Sequence, residues 1–238
     1  MLLTFEDRLS DSPFVERIWR SQSERQGTFH SIAMSHWEMV VTRYNGNMIL
    51  TVRGPESKAT ALHLSLVGAE WFGIRFKLGT VMPHLPASDL VDGDVNLPDA
   101  SSKSFWMNGS AWQFPSYENA DTFVNRLVRQ GLLVRDPVVE TALHGQLKDL
   151  SIRTARRHFL RTTGLTQSTI RQIERARYAT VLLQEGTSIL HTVYEAGYFD
   201  QPHLTKSLKY FIGQTPMQIM QKNESEQLSF LYKTAPLR

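Results

Sequence analysis

The sequence predicts an α+β protein in which a β-rich N-terminal domain precedes an all-α C-terminal domain. Three observations support this fold class. Short β-prone runs separated by turn residues fill the first part of the chain, the apolar period becomes helical near Asn119, and the helical part contains an internal repeat. Several short strands are typical of a small sandwich or barrel, whereas a repeat at a fixed offset indicates two copies of one unit.

The composition is that of a globular protein with room for one large or two small domains. The chain has 238 residues, of which 41 % are apolar and 21 % are charged with mixed signs, so wholesale disorder is excluded. Cysteine is absent, which excludes disulfides and thiolate metal sites. The acidic N-terminus does not resemble a signal peptide, and no run of about 18 apolar residues predicts a membrane span. We therefore expect a cytoplasmic protein with no membrane partner.

Charge is distributed unevenly along the chain. Residues 145–222 carry 11 Lys/Arg and 5 Asp/Glu, whereas residues 1–144 carry 13 and 16. A basic C-terminal part that follows an acidic N-terminal part favours phosphate contact by the C-terminal part alone.

A hairpin is the clearest feature of the N-terminal part. The β-prone runs 39–44 and 48–52 flank Asn45-Gly46, and both turn residues tolerate the positive φ of a tight turn. Residues 61–67 and 71–76 are further strand candidates.

A change of period marks the domain boundary. Helical spacing of apolar residues begins at Asn119 and stops near Gly131, and residues 134–137 are interpreted as a linker. The predicted division is a β-rich regulatory domain at 1–130, a helical domain at 137–222 and a tail at 223–238.

The helical part repeats at an offset of 49 residues. The offset pairs Ser151 with Asp200, Ala155 with Leu204, Arg157 with Lys206, Phe159 with Leu208, Gly164 with Gly213, and Thr166 with Thr215. These pairs supply a helix N-cap, an apolar face, a helix stop and the next N-cap in turn. We interpret them as two copies of a small helical unit, with residues 167–186 as a linking helix between them.

The second copy has the pattern of a helix-turn-helix. Ser188 can cap a helix that carries Ile189 and Val193, Gly197 supplies a sharp turn, and a second helix starts at Gln201. The alternative from this segment alone is an ordinary helical hairpin.

A family resemblance favours DNA binding. Residues 186–219, GTSILHTVYEAGYFDQPHLTKSLKYFIGQTPMQI, resemble the signature of the AraC/XylS family of bacterial transcription regulators. Gly197-Tyr198 and Gly213-Gln214-Thr215-Pro216 match motifs that flank the family's second recognition helix. Upstream, LSIRTARRHFLRTTGLT, residues 150–166, resembles the first recognition helix. The similarity covers about residues 137–221. Val193, Leu204 and Leu208 depart from the family's usual residues but keep core positions apolar. The first unit's turn, near residues 146–148, lacks the usual glycine.

The resemblance implies which residues contact double-stranded DNA. Basic residues opposite Ala155 and Phe159 suit a helix in the major groove, where arginine can donate two bonds to guanine. The family's base-reading positions map onto Arg153, Arg156, Arg157, Gln201, His203 and Lys206, and Thr205 and Lys209 are assigned to phosphate.

The N-terminal part resembles the regulatory domain of one AraC-like subgroup. The segment EWFGIRFKLGTVMPHLPASDLVDGDVNLPDA, residues 70–100, carries this likeness, which implies a cupin-like fold. A small-molecule effector, RNA polymerase and a second copy of the chain are the further partners that this reading implies. The protein is expected to need no cofactor and not to be an enzyme.

Three alternatives concern the N-terminal domain. A metal-dependent cupin enzyme or sensor would need histidines such as His30, His36, His63 and His84, but no His-x-His pair is present. Trp71 and Trp112 belong to an aromatic-rich set that either packs a core or lines an effector pocket, and they are the candidate ligand-binding residues. The third alternative is a domain that serves only for dimerisation.

Overall fold

The computed structural model of the chain describes residues 2–143, 151–221 and 227–228. The strands are β1 (Leu3–Arg8), β2 (Val15–Ser23), β3 (Gly27–Ser31), β4 (Glu38–Tyr44), β5 (Asn47–Arg53), β6 (Thr60–Leu64), β7 (Glu70–Phe76), β8 (Thr80–Val81), β9 (Asp94–Asn96), β10 (Asp99–Ser101), β11 (Ser104–Met107), β12 (Ser110–Gln113), β13 (Val134–Arg135) and β14 (Gln227–Leu228). A 3₁₀ turn spans Ala87–Leu90.

Seven α-helices are described, one of which precedes β13 while the other six lie between β13 and β14. They are α1 (Ala120–Arg129), α2 (Pro137–Leu143), α3 (Ile152–Thr163), α4 (Gln167–Gln184), α5 (Ile189–Glu195), α6 (Gln201–Phe211) and α7 (Pro216–Met220). Helix α1 belongs to the β-rich part, and the others form the C-terminal helical region. The predicted α+β class, with a β-rich domain before a helical one, is confirmed.

The largest sheet has six strands in the order β1-β2-β7-β4-β5-β9. The predicted hairpin is β4 and β5, whose register pairs Tyr44 with Asn47, and Asn45 and Gly46 have φ values of 49° and 79°. Strands β10, β11 and β12 form a second sheet, and β3 lies between β6 and β14 in a third.

The core of the β-rich domain lies between the large sheet and α1. Ile74 and Phe76 from the sheet meet Phe105 and Trp112 from the smaller sheet, and Phe123 and Leu127 cover them from the helix. Helix α1 therefore completes the β-rich core, as its apolar face predicts.

Two parts of the prediction need correction. No strand was assigned before residue 39, but β1, β2 and β3 lie there. Residues 134–137 are also more than a bare linker, because Val134 and Arg135 form β13 and pair with Val81 and Thr80 of β8. Backbone hydrogen bonding thus fixes the connection between the two domains to the β-rich part.

The helical region shares its core with the β-rich domain. Ile32, Ala33 and Leu78 from the β-rich part are buried in one cluster with α4 and α6 residues such as Ile173 and Leu208. The domains therefore meet through an apolar interface, which opposes free rotation of one against the other.

Two kinds of feature are absent from the part of the chain that the structure describes. None of its helices combines the length and apolar character that a membrane span needs. No three of its histidine, aspartate or glutamate side chains lie together as a metal ion would require.

Candidate nucleic-acid interface

Helix α3 has a clear start, a clear stop and one buried face. The Ser151 hydroxyl caps the helix by accepting from the Thr154 amide at 3.1 Å, and Gly164 ends it with φ of 72°. Ala155 and Phe159 are buried, as the repeat predicts. The helix is thereby oriented with its basic side outward.

The outward side of α3 is a basic surface. Arg153, Arg156, Arg157 and Arg161 are all exposed. The first three line a shallow groove together with Thr154, Leu160, Thr166, Gln167, Ser168 and Arg171. The start of α4 thus contributes to this groove. The sequence did not predict that Arg171 would lie there. We call this set the first groove.

Helix α6 repeats the same arrangement. Asp200 caps it by accepting from the His203 amide at 2.7 Å, Leu204 and Leu208 are buried, and Gly213 follows with φ of 88°. Gln201, Pro202, Thr205, Lys206, Lys209 and Tyr210 line its outward surface, which we call the second groove. Tyr210 also lines this groove, although the sequence did not predict it. Its side chain is 53 % exposed on the α6 surface.

The two grooves occupy equivalent places in the repeat. Thr166 and Thr215 both cap the helix after the glycine, the latter in a reciprocal capping box with Gln218. Arg157 and Lys206, paired by the offset, each lie in their own groove. The predicted repeat is therefore confirmed in its caps, its core and its stops. The first unit's turn at 146–148 lies outside the described residues.

Comparison with known proteins decides the family of this region. Residues 148–222 match the family model of the helix-turn-helix domain. They form an AraC-type helix-turn-helix domain. The AraC-type domain is a DNA-binding domain of transcription regulators, so double-stranded DNA is its partner. No curated protein and no solved structure matches the chain.

His203 differs from the other predicted contacts of the AraC-type domain. Its side chain is exposed, but its ring packs edge-on against Tyr198 at 5.1 Å, and its Nδ1 lies 3.5 Å from the Phe199 amide. The ring therefore braces the turn before α6 and is absent from the residues that line the second groove.

The arginines of α4 divide into three environments. Arg171 is exposed in the first groove, and Arg175 lies 4.6 Å from the Tyr198 ring centroid. Arg177 is only 3 % exposed and lies 3.8 Å from Glu174, which accepts from the Ser35 hydroxyl at 2.9 Å. The sequence did not predict the burial of Arg177 against the β-rich domain.

The β-rich domain contacts the C-terminal ends of both α3 and α6. After α3, Gly164 packs against Ser88 in the 3₁₀ turn, where a Cβ atom would lie 2.9 Å from the Ser88 Cα. At the end of α6, Ala33 donates to the Phe211 carbonyl at 2.7 Å and Ala59 to the Tyr210 carbonyl at 2.9 Å. The β-rich domain thus contacts the ends of both helices.

The two tryptophans that were candidates for ligand binding have different places. Trp112 is 1 % exposed in the core, where it meets Phe123 edge-on at 5.9 Å. Trp71 is half-buried and lines two cavities. One is an open groove of about 800 Å³ across the large sheet, and the other, of about 120 Å³, reaches the helical domain.

Proposed function

We propose that this chain is a sequence-specific transcription regulator that inserts α3 and α6 into successive major grooves on one face of a DNA duplex. We further propose that a small-molecule effector in the β-rich domain alters its affinity for DNA. One observation supports the first proposal: α3 and α6 each have a side-chain cap, a buried inner face and an exposed polar groove. Domain boundaries at 1–130 and 137–222 are part of it.

The chemistry of the two grooves supports unequal readout. Arginines at 153, 156 and 157 can each donate two hydrogen bonds to guanine O6 and N7. In the second groove Gln201 can pair with adenine, Lys206 can reach guanine or phosphate, and Pro202 has neither an amide hydrogen nor a polar side chain. A monomer would therefore recognise an asymmetric site, with the stricter half under α3.

Spacing is the decisive test of the two-groove arrangement. Sites selected from random DNA should contain two unlike boxes whose centres lie about 10 base pairs, or about 34 Å, apart. Inserting about five base pairs between the boxes turns one of them to the opposite face, so affinity should fall to the level of a single box. An insertion of about ten base pairs is the matched control, because it restores the face but lengthens the separation.

The opposite result has a clear form. If affinity is unaffected by the five-base-pair insertion, one groove alone is read, and the two-groove proposal is wrong although the protein still binds DNA. Measurements belong at two salt concentrations, because phosphate contacts dominate affinity and weaken with salt.

Contact between the β-rich domain and both recognition helices supports the effector proposal. A ligand that binds one arrangement of these contacts more tightly than another shifts the equilibrium between the two arrangements by the difference in its binding free energy. DNA affinity changes with it when the two arrangements bind DNA unequally. The described contacts at Gly164, Phe211 and Tyr210 are the points through which such a shift would act.

A further inference from the structure

Two loops of the β-rich domain contact the ends of α3 and α6. The loop between β5 and β6 covers residues 54–59, and its Ala59 amide donates to the Tyr210 carbonyl of α6 at 2.9 Å. The loop between β8 and β9 covers residues 82–93 and contains the 3₁₀ turn, on which Gly164 packs after the end of α3. The placement of the two helices relative to each other therefore depends in part on how these two loops are joined.

The β5–β6 loop also supports the second backbone bond to the end of α6. Ala33 donates to the Phe211 carbonyl at 2.7 Å, and the next residue, Met34, exchanges two backbone bonds of 2.8 Å with Glu56. Glu56 lies within the β5–β6 loop. Both backbone attachments of the α6 end therefore depend on the path of this one loop.

Backbone contacts join the two loops at the start of the β5–β6 loop. The Gly54 amide donates to the Gly93 carbonyl at 3.0 Å, and the Asp92 amide donates to the Pro55 carbonyl at 2.8 Å. Gly54 also packs so closely on the Leu90 carbonyl that a Cβ atom at this position would collide with it. These contacts hold the first two residues of the loop, whereas α6 contacts its last residue.

The side chain of Asp92 holds the later part of the β5–β6 loop. Its Oδ1 accepts from the Ser57 amide at 2.7 Å, and its Oδ2 accepts from the Ser57 hydroxyl at 2.6 Å. Both distances are short, as expected when the acceptor carries a charge. Ser57 lies two residues before Ala59, so these bonds hold the part of the loop that contacts α6.

The backbone of Asp92 adopts a conformation that residues with a side chain seldom take. Its φ is 57°, and among the described residues Asn45 and Asn108 are the other non-glycine residues with positive φ. The two asparagines lie in the turns of the β4–β5 and β11–β12 hairpins, whereas Asp92 lies between the 3₁₀ turn and β9. Glycine would adopt this conformation without strain. The strain of an aspartate is offset here by the two bonds that its carboxylate makes.

We infer that Asp92 is a positioning residue, whose two bonds to Ser57 join the loops and thereby set the placement of α3 relative to α6. Its consequence for DNA rests on the proposed two-groove arrangement. Helices that are already held at the spacing of two major grooves lose less freedom when they bind, so a two-box site is bound more tightly. Asp92 acts through the two loops and is not itself assigned to a contact with DNA.

Distances between the helices, measured without DNA, test the placement directly. The chain has no cysteine, so Leu160→Cys on α3 and Lys209→Cys on α6 allow one spin label on each exposed helix surface. Double electron–electron resonance on the full chain then gives the distribution of label distances. Asp92→Gly should broaden this distribution by several ångströms, because glycine keeps the backbone conformation but loses both bonds.

Two further variants separate the bonds from the charge. Asp92→Asn removes the same charge as Asp92→Gly, but its side chain can still accept from the Ser57 amide and donate to the Ser57 hydroxyl, so the distribution should stay narrow. Ser57→Ala removes one bond from the other loop and should broaden the distribution less than Asp92→Gly does. Broadening in Asp92→Asn equal to that in Asp92→Gly overturns the inference. Equal distributions in Ser57→Ala and the labelled original chain overturn it even where Asp92→Gly fails to fold.

DNA affinity of the unlabelled proteins shows whether the placement matters for recognition. Compared with Asp92→Asn, Asp92→Gly should bind a two-box operator about threefold to tenfold more weakly, the effect of losing a single hydrogen bond. Binding to a single box should be equal in the two variants, and the penalty for one added base pair between the boxes should be smaller in Asp92→Gly. A general loss of folding would instead weaken binding to both kinds of site.

The failure of this inference and the failure of the two-groove proposal have different outcomes. An unchanged distance distribution in Asp92→Gly, together with two-box binding that depends on spacing in the original chain, overturns this inference alone. A broader distribution in Asp92→Gly, together with affinity that is independent of spacing in the original chain, overturns the two-groove proposal and supports the placement by Asp92.

Discussion

The two helix-turn-helix units share a scaffold but differ in surface chemistry and in attachment. Helices α3 and α6 both begin at a side-chain cap and end before a glycine of positive φ. The α3 surface carries arginines, whereas α6 presents Gln201, Pro202 and Lys206. The shared residues therefore specify the fold, and the differing ones give the two outward surfaces different chemistry.

Attachment to the rest of the molecule differs as well. Helix α3 is held by side chains, because Asp136 accepts from the Thr162 hydroxyl at 2.9 Å and lies 3.1 Å from His158 Nδ1. The end of α6 is held by backbone bonds from Ala33 and Ala59. Substitution can therefore weaken the first attachment directly, whereas the second depends on the path of the backbone.

The largest expected effect concerns the shared core position of the two units. Phe159→Ala should lower the free energy of unfolding by about 3–5 kcal/mol and Leu208→Ala by about 2–5 kcal/mol, since both side chains are buried and leave cavities. Urea denaturation measures both. Leu160→Ala is the control, because Leu160 is 51 % exposed and its truncation should cost little. A loss no larger than the control's at one position would end the structural equivalence of the units.

The helix-stop glycines separate backbone strain from domain contact. Gly197 has φ of 67° with open space around it, so Gly197→Ala should cost about 1–2 kcal/mol from strain alone. Gly164→Ala adds a collision with Val91 and Ser88, which brings the expected cost to about 2–4 kcal/mol. Thermal unfolding of both variants gives the difference. Equal costs would mean that the 3₁₀ turn yields easily and does not hold α3.

A third pair of variants tests the chemistry of the grooves. Arg157→Ala should cost about 1–3 kcal/mol in operator affinity and relax preference at one base pair, as expected of a bidentate guanine contact. Lys209→Ala should weaken binding to all sequences alike and reduce the slope of the salt dependence by about one. Binding-site selection and salt titration on both variants decide. A uniform loss in Arg157→Ala would reassign that arginine to phosphate.

Local signals made the helical region predictable. Ser151, Thr166, Asp200 and Thr215 act within three residues of themselves, and their bonds depend little on the rest of the fold. The Asn45-Gly46 turn was predictable for the same reason. The grooves followed from these caps, because a cap and a buried face together determine which side of a helix is exposed.

Features that depend on distant partners were not predictable. Strand β1 has the sequence LTFEDR, whose polar residues do not suggest a strand, and it forms through pairing with β2. Burial of Arg177 beside Glu174 requires the β-rich domain to cover α4, and no residue near it in the chain signals this. The small cavity combines residues from β2, β5, β7 and α4, so only the assembled fold brings them together.

The smallest expected effect concerns the side-chain attachment of α3. Burial alone would raise the pKa of Asp136, but bonds from His158, Thr162 and the Val138 and Val139 amides lower it overall. A carboxyl with a depressed folded-state pKa adds stability above its unfolded value, near 3.8, and this stability disappears as pH falls through the folded value. Asp136→Asn lacks this contribution. Its deficit in unfolding free energy relative to the original chain should therefore be full near neutral pH and shrink below about pH 4.

Asp200→Asn is the control in the second unit, because asparagine caps a helix about as well as aspartate. Urea denaturation of the three proteins across acidic pH gives the comparison. A deficit for Asp136→Asn that stays constant as pH falls would show that the carboxylate charge does not hold α3, and the packing of Gly164 on the 3₁₀ turn would remain as the described attachment of its end.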